Sequence, residues 1–245
     1  MRVLLTGATG YAGRGIASVL AREHLVRGLD IRAAEMACQE LVIGDLADLE
    51  VCRRALAGME AMVLCHMAPN PAGYETPVLA MDVNVKGTAN LYHSAVESGL
   101  RRAVLISSVG VLPLQPGARA APGEGPYNFA RSLYGLTKIL QEGIARYYHD
   151  MHGMATAVLR PSWVVYDGDY VTKYGDRLEA YHPELIDPRD IGAAALAALA
   201  LPDLALEAFQ LGQDDSGLEL TAARERLCWR PQHRFTGLPR EPVAS

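Results

Sequence analysis

Residues 2–6, RVLLT, run straight into GATGYAG and from there into a helical pattern. A short apolar strand that ends in closely spaced glycines must turn sharply before the next element can pack back on it. Gly7, Gly10 and Gly13 recur at every third position. Glycine there lets the backbone approach a ligand closely. The helix that follows points its free N–H groups and positive dipole end at the same turn. A dinucleotide pyrophosphate suits such a site.

The rest of the chain repeats the strand-then-helix rhythm. Strands are expected over 2–6, 25–30, 40–43, 61–65, 103–107, 155–159 and 208–211, with helices near 12–23, 48–58, 76–98, 130–152 and 188–201. Strands that are mostly apolar, separated by helices, imply a parallel sheet covered on both faces. The expected fold is therefore α/β: a Rossmann-type doubly wound parallel sheet of about seven strands with a small C-terminal substrate region. We expect one domain over 1–245. Residues 1–160 would form the dinucleotide-binding core with the catalytic residues. Residues 161–245 would form a reduced substrate region with a closing strand and helix. Asp187 and Pro188 mark the start of the last long helix. The Pro- and Gly-rich stretch 112–126 reads as a loop.

Half of the 245 residues are apolar, enough to bury roughly three quarters of the unfolded chain's surface. A net charge of −5 and a pI near 5.8 argue against a nucleic-acid partner. Arg224, Arg226, Arg230 and Arg234 gather near the end of the chain and read as a solvated helix or tail. Cys38, Cys52, Cys65 and Cys228 form no CxxC pair and suit a reducing compartment. His149 and His152 lack a third neighbour in sequence, so no metal is expected. No secretory leader is evident at the start, and the apolar stretch 191–202 is too short to span a bilayer. A cytoplasmic protein with no membrane partner is expected.

Asp30 ends the second strand, 23 residues after Gly7. A carboxylate there hydrogen-bonds ribose hydroxyls and repels a 2′-phosphate, which favours NAD over NADP. Arg32 can soften that preference, and Asp30 can also be read as a plain strand-end residue. Asp45 falls where the adenine would lie.

The stretch YGLTK sets Tyr134 and Lys138 four residues apart, on one face of a helix. Tyrosine's ordinary pKa of about 10 is too high for an efficient base near neutrality. An ammonium one turn away is expected to lower it. Ser108 closes the fifth strand, at the end of a parallel sheet where sites form. Ser107 and Ser108 also read as simple strand terminators.

These residues together resemble the extended branch of the short-chain dehydrogenase/reductase superfamily. GATGYAG matches its GxxGxxG loop. VLCHMA over 63–68 resembles V-I-H-L-A-A, and NVKGTANL over 84–91 matches N-V-x-G-T-x-N-L. SSVGVL resembles S-S-x-x-V-Y, YGLTK matches Y-G-x-S-K, and LRPSWVVYDG resembles L-R-P-x-x-V-Y-G. The resemblance implies that Tyr134 is the catalytic acid/base, Lys138 its partner and a ribose ligand, and Ser108 the partner of the substrate hydroxyl. It implies that Gly7, Gly10, Tyr11, Ala12, Gly13, Asp30, Asp45, Leu46, Ala68, Tyr134, Lys138 and Pro161 line NAD. Asn84 would be a packing and network residue. Two departures stand out: the V-Y-G tyrosine is Leu112, and the stretch from Asn70 follows no general pattern.

Only 26 positions separate Pro161 from Asp187, little to build a lobe for a nucleotide diphosphate, so a small-molecule substrate is expected. Length, motif spacing and the tail resemble the compact uronate dehydrogenases, which oxidise a hexuronic acid to a lactone with NAD. A carboxylate substrate wants a cation. Lys173 and Arg177 are candidates, with Arg119 and Arg131 as competitors and solvent-exposed loop charges as the plain alternative. Asn70, Ser108, Lys173 and Arg177 are the expected substrate contacts. Two other readings stay open: a sugar epimerase or dehydratase that holds NAD without net redox, and a dinucleotide-binding protein without catalysis. A homodimer through the helices carrying NVKGT and Tyr134 is expected.

Overall fold

The computed structural model describes residues 1–69, 74–115, 117–129 and 132–240. Its main sheet has strands β1 (Arg2–Thr6), β2 (Leu25–Asp30), β3 (Glu40–Ile43), β4 (Ala61–Leu64), β5 (Arg102–Ile106), β6 (Ala155–Pro161) and β9 (Leu206–Leu211). They lie in the order β3-β2-β1-β4-β5-β6-β9, and all pairs are parallel. The order reverses between β1 and β4, so the crevice at their carboxyl ends is the switch point where such sheets bind ligands.

The strands are apolar on both sides because both sides are covered. Helices α1 (Tyr11–Leu20) and α6 (Pro188–Ala200) bury Ile16, Leu20, Ile191 and Ala195 against Val3, Leu5 and Ile106. On the other face, α2 (Leu49–Leu56), α4 (Gly87–Glu97) and α5 (Leu133–His152) pack Leu56, Leu91, Tyr92 and Ala145 against Leu4, Met62 and Leu105. Asp187 caps α6 by accepting from Arg189 N at 2.7 Å, with Pro188 in the first turn. Such a cap is worth about 1 kcal/mol.

Two features differ from expectation. The helix expected over 76–98 is broken into α3 (Pro77–Ala80), a π-helical segment (Met81–Lys86) and α4. Asn84 explains the break: its carbonyl accepts from the Thr88 hydroxyl at 2.6 Å and from Gln141 Nε2 at 2.9 Å. Side-chain donors compete there with the helical ladder, and wide turns of this kind cluster at functional sites. A two-stranded parallel pair, β7 (Trp163–Val164) with β8 (Leu185–Ile186), was not anticipated. Strands of two residues give no readable periodicity. The arginine cluster, expected as a solvated helix or tail, begins on the short helix α7 (Thr221–Arg226), and its part-exposed side chains are ion-paired, Arg224 and Arg234 with Asp214, and Arg226 with Glu207 and Asp203.

A separate apolar cluster, Val165, Leu185, Phe235 and Leu238 with Tyr170, Leu178 and Tyr181, lies under the 165–181 segment. Among the described residues no helix is long and apolar enough to cross a membrane, and no group of three His, Cys, Asp or Glu is arranged to hold a metal.

Candidate active site

The glycine turn is shaped by backbone contacts alone. Gly7 adopts φ +64°, and a Cβ there would lie 2.7 Å from His66 Cα. A Cβ on Gly13 would lie 2.0 Å from the Gly7 carbonyl oxygen. Gly10 N donates to Gly7 O at 3.0 Å. Gly10 is the N-cap of α1 and supplies no side-chain cap, so backbone N–H groups face the crevice. Asp30 stands at the end of β2, its carboxylate accepting from Thr9 N at 3.0 Å and from Arg32 N at 3.3 Å. Asp45 is exposed and folds back on Ala47 N at 2.9 Å, while Leu46 beside it is buried. This cradle fits a dinucleotide: anion-facing amides at one end, a fixed carboxylate at the ribose position.

β4 leads into the opposite wall. His66 is buried between the Thr6 hydroxyl at 2.8 Å and the Thr88 hydroxyl at 3.0 Å. Burial, and then the Lys138 charge, push its pKa down to about 3, so the ring is neutral. Ala68 is fully buried and donates its N–H to Asn84 Oδ1 at 2.7 Å. Asn84 Nδ2 donates to the Thr137 hydroxyl at 3.0 Å, so the π-helical segment ties this wall to α5. Pro161 ends β6, buried.

Ser132 caps α5 and sets Tyr134 and Lys138 in its first turns. Ser108 accepts from Gly110 N at 3.0 Å and lies near enough to the Tyr134 phenol to pull its pKa down. The structure thus brings Ser108, Tyr134 and Lys138 together. It corrects the expected electrostatics, however. Burial dominates and lifts the Tyr134 pKa above the ordinary phenol range, with Ser108 pulling the other way. Lys138 is 4% exposed and donates to Ile106 O at 2.8 Å, and burial lowers its own pKa to about 8. Its Nζ lies 5.9 Å from the Tyr134 ring centroid. At that distance its pull on the phenol does not offset removal from water.

A second ammonium reaches the same ring. Lys173 Nζ lies 6.0 Å from the Tyr134 centroid and 4.8 Å from that of Tyr174. Arg177 is exposed, opposite Val171 in an antiparallel bridge, and none of its described contacts joins it to Tyr134. Arg119 is engaged with Glu219 at 2.8 Å. Asn70 and Arg131 lie outside the described residues.

Sequence reasoning missed the buried pair beneath Ser108. Glu142 is fully buried and Arg160 is 1% exposed, with Arg160 Nη2 donating to Glu142 Oε2 at 2.6 Å. Glu142 also accepts from the Ser107 hydroxyl at 2.6 Å and from Tyr127 at 2.7 Å. One carboxylate therefore fixes the end of β5, the tyrosine helix, β6 and the loop before Tyr134. The available signal was spacing: Glu142 follows Lys138 by one helical turn on the buried face. Tyr11, expected at the dinucleotide, donates its hydroxyl to Val171 O at 2.5 Å.

The parallel sheet, its switch point and the glycine cradle define a dinucleotide-binding protein of the doubly wound α/β class. Residues 3–179 match the model of the NAD dependent epimerase/dehydratase family, and the chain belongs to that family. It is 29% identical to L-arabinose 1-dehydrogenase (NAD(P)(+)) of Haloferax volcanii, over 94% of this chain and 96% of that protein. It is 31% identical to the 3 beta-hydroxysteroid dehydrogenase/isomerase of Mycobacterium tuberculosis, over 69% of this chain but only 48%, about half, of that enzyme. Among solved structures, a point mutant of uronate dehydrogenase from Agrobacterium tumefaciens in complex with NAD superposes with a TM-score of 0.77, at 23% identity, over 100% of this chain and 92% of that one.

Proposed function

We propose that this protein is an NAD-dependent dehydrogenase that oxidises the anomeric carbinol of a small free sugar or sugar acid to a lactone. The observation that carries the reading is the Tyr134 phenol beside Ser108, with two ammonium groups 5.9 and 6.0 Å from its ring centroid. When bound, NAD supplies a two-electron acceptor for the hydride leaving the carbinol carbon. Ser108 Oγ orients the substrate oxygen, and the hydroxyl proton passes to Tyr134 Oη. That oxygen must start as phenolate, a form burial disfavours and the paired cations of Lys138 and Lys173 favour. Lys173 supports an acidic substrate, because a carboxylate drawn to it would lie beside Tyr134. Asp30, already fixed by two backbone N–H groups, supports NAD over NADP. The whole-length likeness to an arabinose dehydrogenase supports a small sugar over a steroid, as does the polar hairpin that carries Lys173.

The test is a screen of hexuronates, aldoses and polyols for NADH formation. Steady NADH production from a sugar or its acid is the expected result. Tight NAD binding without net NADH from any of them would instead mark an epimerase or dehydratase. A homodimer through α4 and α5 belongs to the same reading, supported by Tyr147 and Met151, 55% and 63% exposed on α5. A solution mass of one chain by light scattering contradicts it.

A further inference from the structure

Tyr11, the first residue of α1, ties the glycine turn to a distant segment. Its hydroxyl donates to Val171 O at 2.5 Å and accepts from Tyr166 N at 3.2 Å. Tyr166 returns the contact by donating its hydroxyl to Tyr11 O at 3.1 Å. The two rings meet edge to face, 5.2 Å apart at 76°.

The segment Tyr11 grips is a small hairpin. Val171 bridges Arg177, Thr172 N donates to Asp176 O at 2.8 Å, and Gly175 N donates to Thr172 O at 3.0 Å. Asp167 N is tied to Asp187 at 2.7 Å, and Phe235 N to Asp167 at 3.1 Å. Those two anchors hold only the entry to the hairpin. Val171, two residues before Lys173, is held by Tyr11. The other arm, beyond the tip, is held by Leu178 and Tyr181 in the apolar cluster with Phe235 and Leu238, and by Tyr181 N, which donates to Pro239 O at 2.9 Å. On the arm that leads to Lys173, the hold is the phenol of a residue in the glycine turn, so the position of the Lys173 ammonium over Tyr134 depends in part on it.

We infer that Tyr11 is a positioning residue that couples occupancy of the glycine cradle to placement of the 171–177 hairpin, and so of Lys173. The inference rests on the dinucleotide reading above. An anion at the α1 N-terminus fixes the first turn of the helix, where Tyr11 sits. With that turn fixed, its hydroxyl is fixed, and Val171 O with it. Linkage is reciprocal: a ligand that pins the hairpin tightens the cradle by the same factor.

The test is amide hydrogen exchange on the full chain, with and without NAD. In the wild type, NAD is expected to slow exchange both at 7–13 and at 171–177. In Tyr11→Phe, the slowing at 7–13 persists, while that at 171–177 falls roughly five- to tenfold, the effect of losing one or two hydrogen bonds. Tyr166→Phe removes the facing hydroxyl but leaves the bonds from Tyr11 to Val171 O and Tyr166 N. It is expected to keep the NAD-dependent slowing, which separates coupling from loss of ring packing. Hairpin exchange that ignores NAD in the wild type while 7–13 is protected overturns the inference and leaves the function standing. So does a hairpin response that survives in Tyr11→Phe. If NAD slows exchange nowhere, the dinucleotide reading falls and the coupling with it. The wild-type comparison decides even if Tyr11→Phe fails to fold.

Discussion

The glycine turn at 7–13 and the hairpin at 171–177 flank one crevice but are built on opposite principles. The turn is dictated by backbone sterics. No other residue fits Gly7 at φ +64° with His66 Cα 2.7 Å from a Cβ, or Gly13 with a carbonyl at 2.0 Å. The hairpin is held by side chains and backbone far apart in the chain: Tyr11 to Val171, 160 residues apart, and Phe235 to Asp167, 68 apart. A backbone-dictated site accepts few sequences and one ligand geometry. A site hung on distant side chains changes its chemistry when one tip residue changes. The coenzyme end is thus the fixed half of the crevice, and the substrate end the adjustable half.

The largest effect tests whether the two halves meet at one proton-transfer group. Tyr134→Phe should lower kcat by about 10³-fold, within the range for loss of a general acid–base group, with NAD affinity changed less than twofold in a titration. Near-normal turnover in this variant would separate the halves and remove Tyr134 from the chemistry. Next comes Lys173→Met, which should raise KM for an acidic sugar roughly 10- to 50-fold, the effect of losing a charged hydrogen bond, and leave a neutral sugar nearly unaffected. Equal losses for both sugars would mean that Lys173 acts on the phenol and not on a carboxylate.

The same division explains what could be read in advance. The seven main strands, the parallel order, the Asp187 cap and the glycine cradle follow from local periodicity and steric need. Ser108, Tyr134 and Lys138 were legible because spacing on a helix and a strand end fixes their faces. Their electrostatics were not: the Tyr134 pKa is raised by burial first and by neighbours such as Tyr74 and Tyr174, and helix spacing says nothing of either. The Glu142–Arg160 pair was hidden because each partner looks like an ordinary charge until both are known to be buried. The π-helical segment was hidden because its cause, Gln141 reaching Asn84 O, joins two helices.

At the fixed half, Asp30→Ala should reduce the preference for NAD over NADP about tenfold in kcat/KM. The carboxylate that repels a 2′-phosphate is gone, while the glycine cradle still holds the pyrophosphate. An unchanged ratio would show that Arg32 or the turn itself sets coenzyme choice.

The smallest effect concerns the dryness of that half. His66 has a folded pKa near 3 against an ordinary value near 6.5, so between those limits the unfolded chain binds more protons than the native one. Stability is then full above pH 6.5 and declines as pH falls. The contribution is about 1 kcal/mol by pH 6 and about 2 kcal/mol by pH 5 for one buried imidazole. Urea unfolding of the wild type and of His66→Gln at pH 7.5, 6 and 5 isolates it, because the remaining histidines titrate in both proteins. The difference between the two should shrink on acidification. A constant difference would mean that water reaches His66, and that the wall behind the glycine turn is as open to solvent as the hairpin opposite.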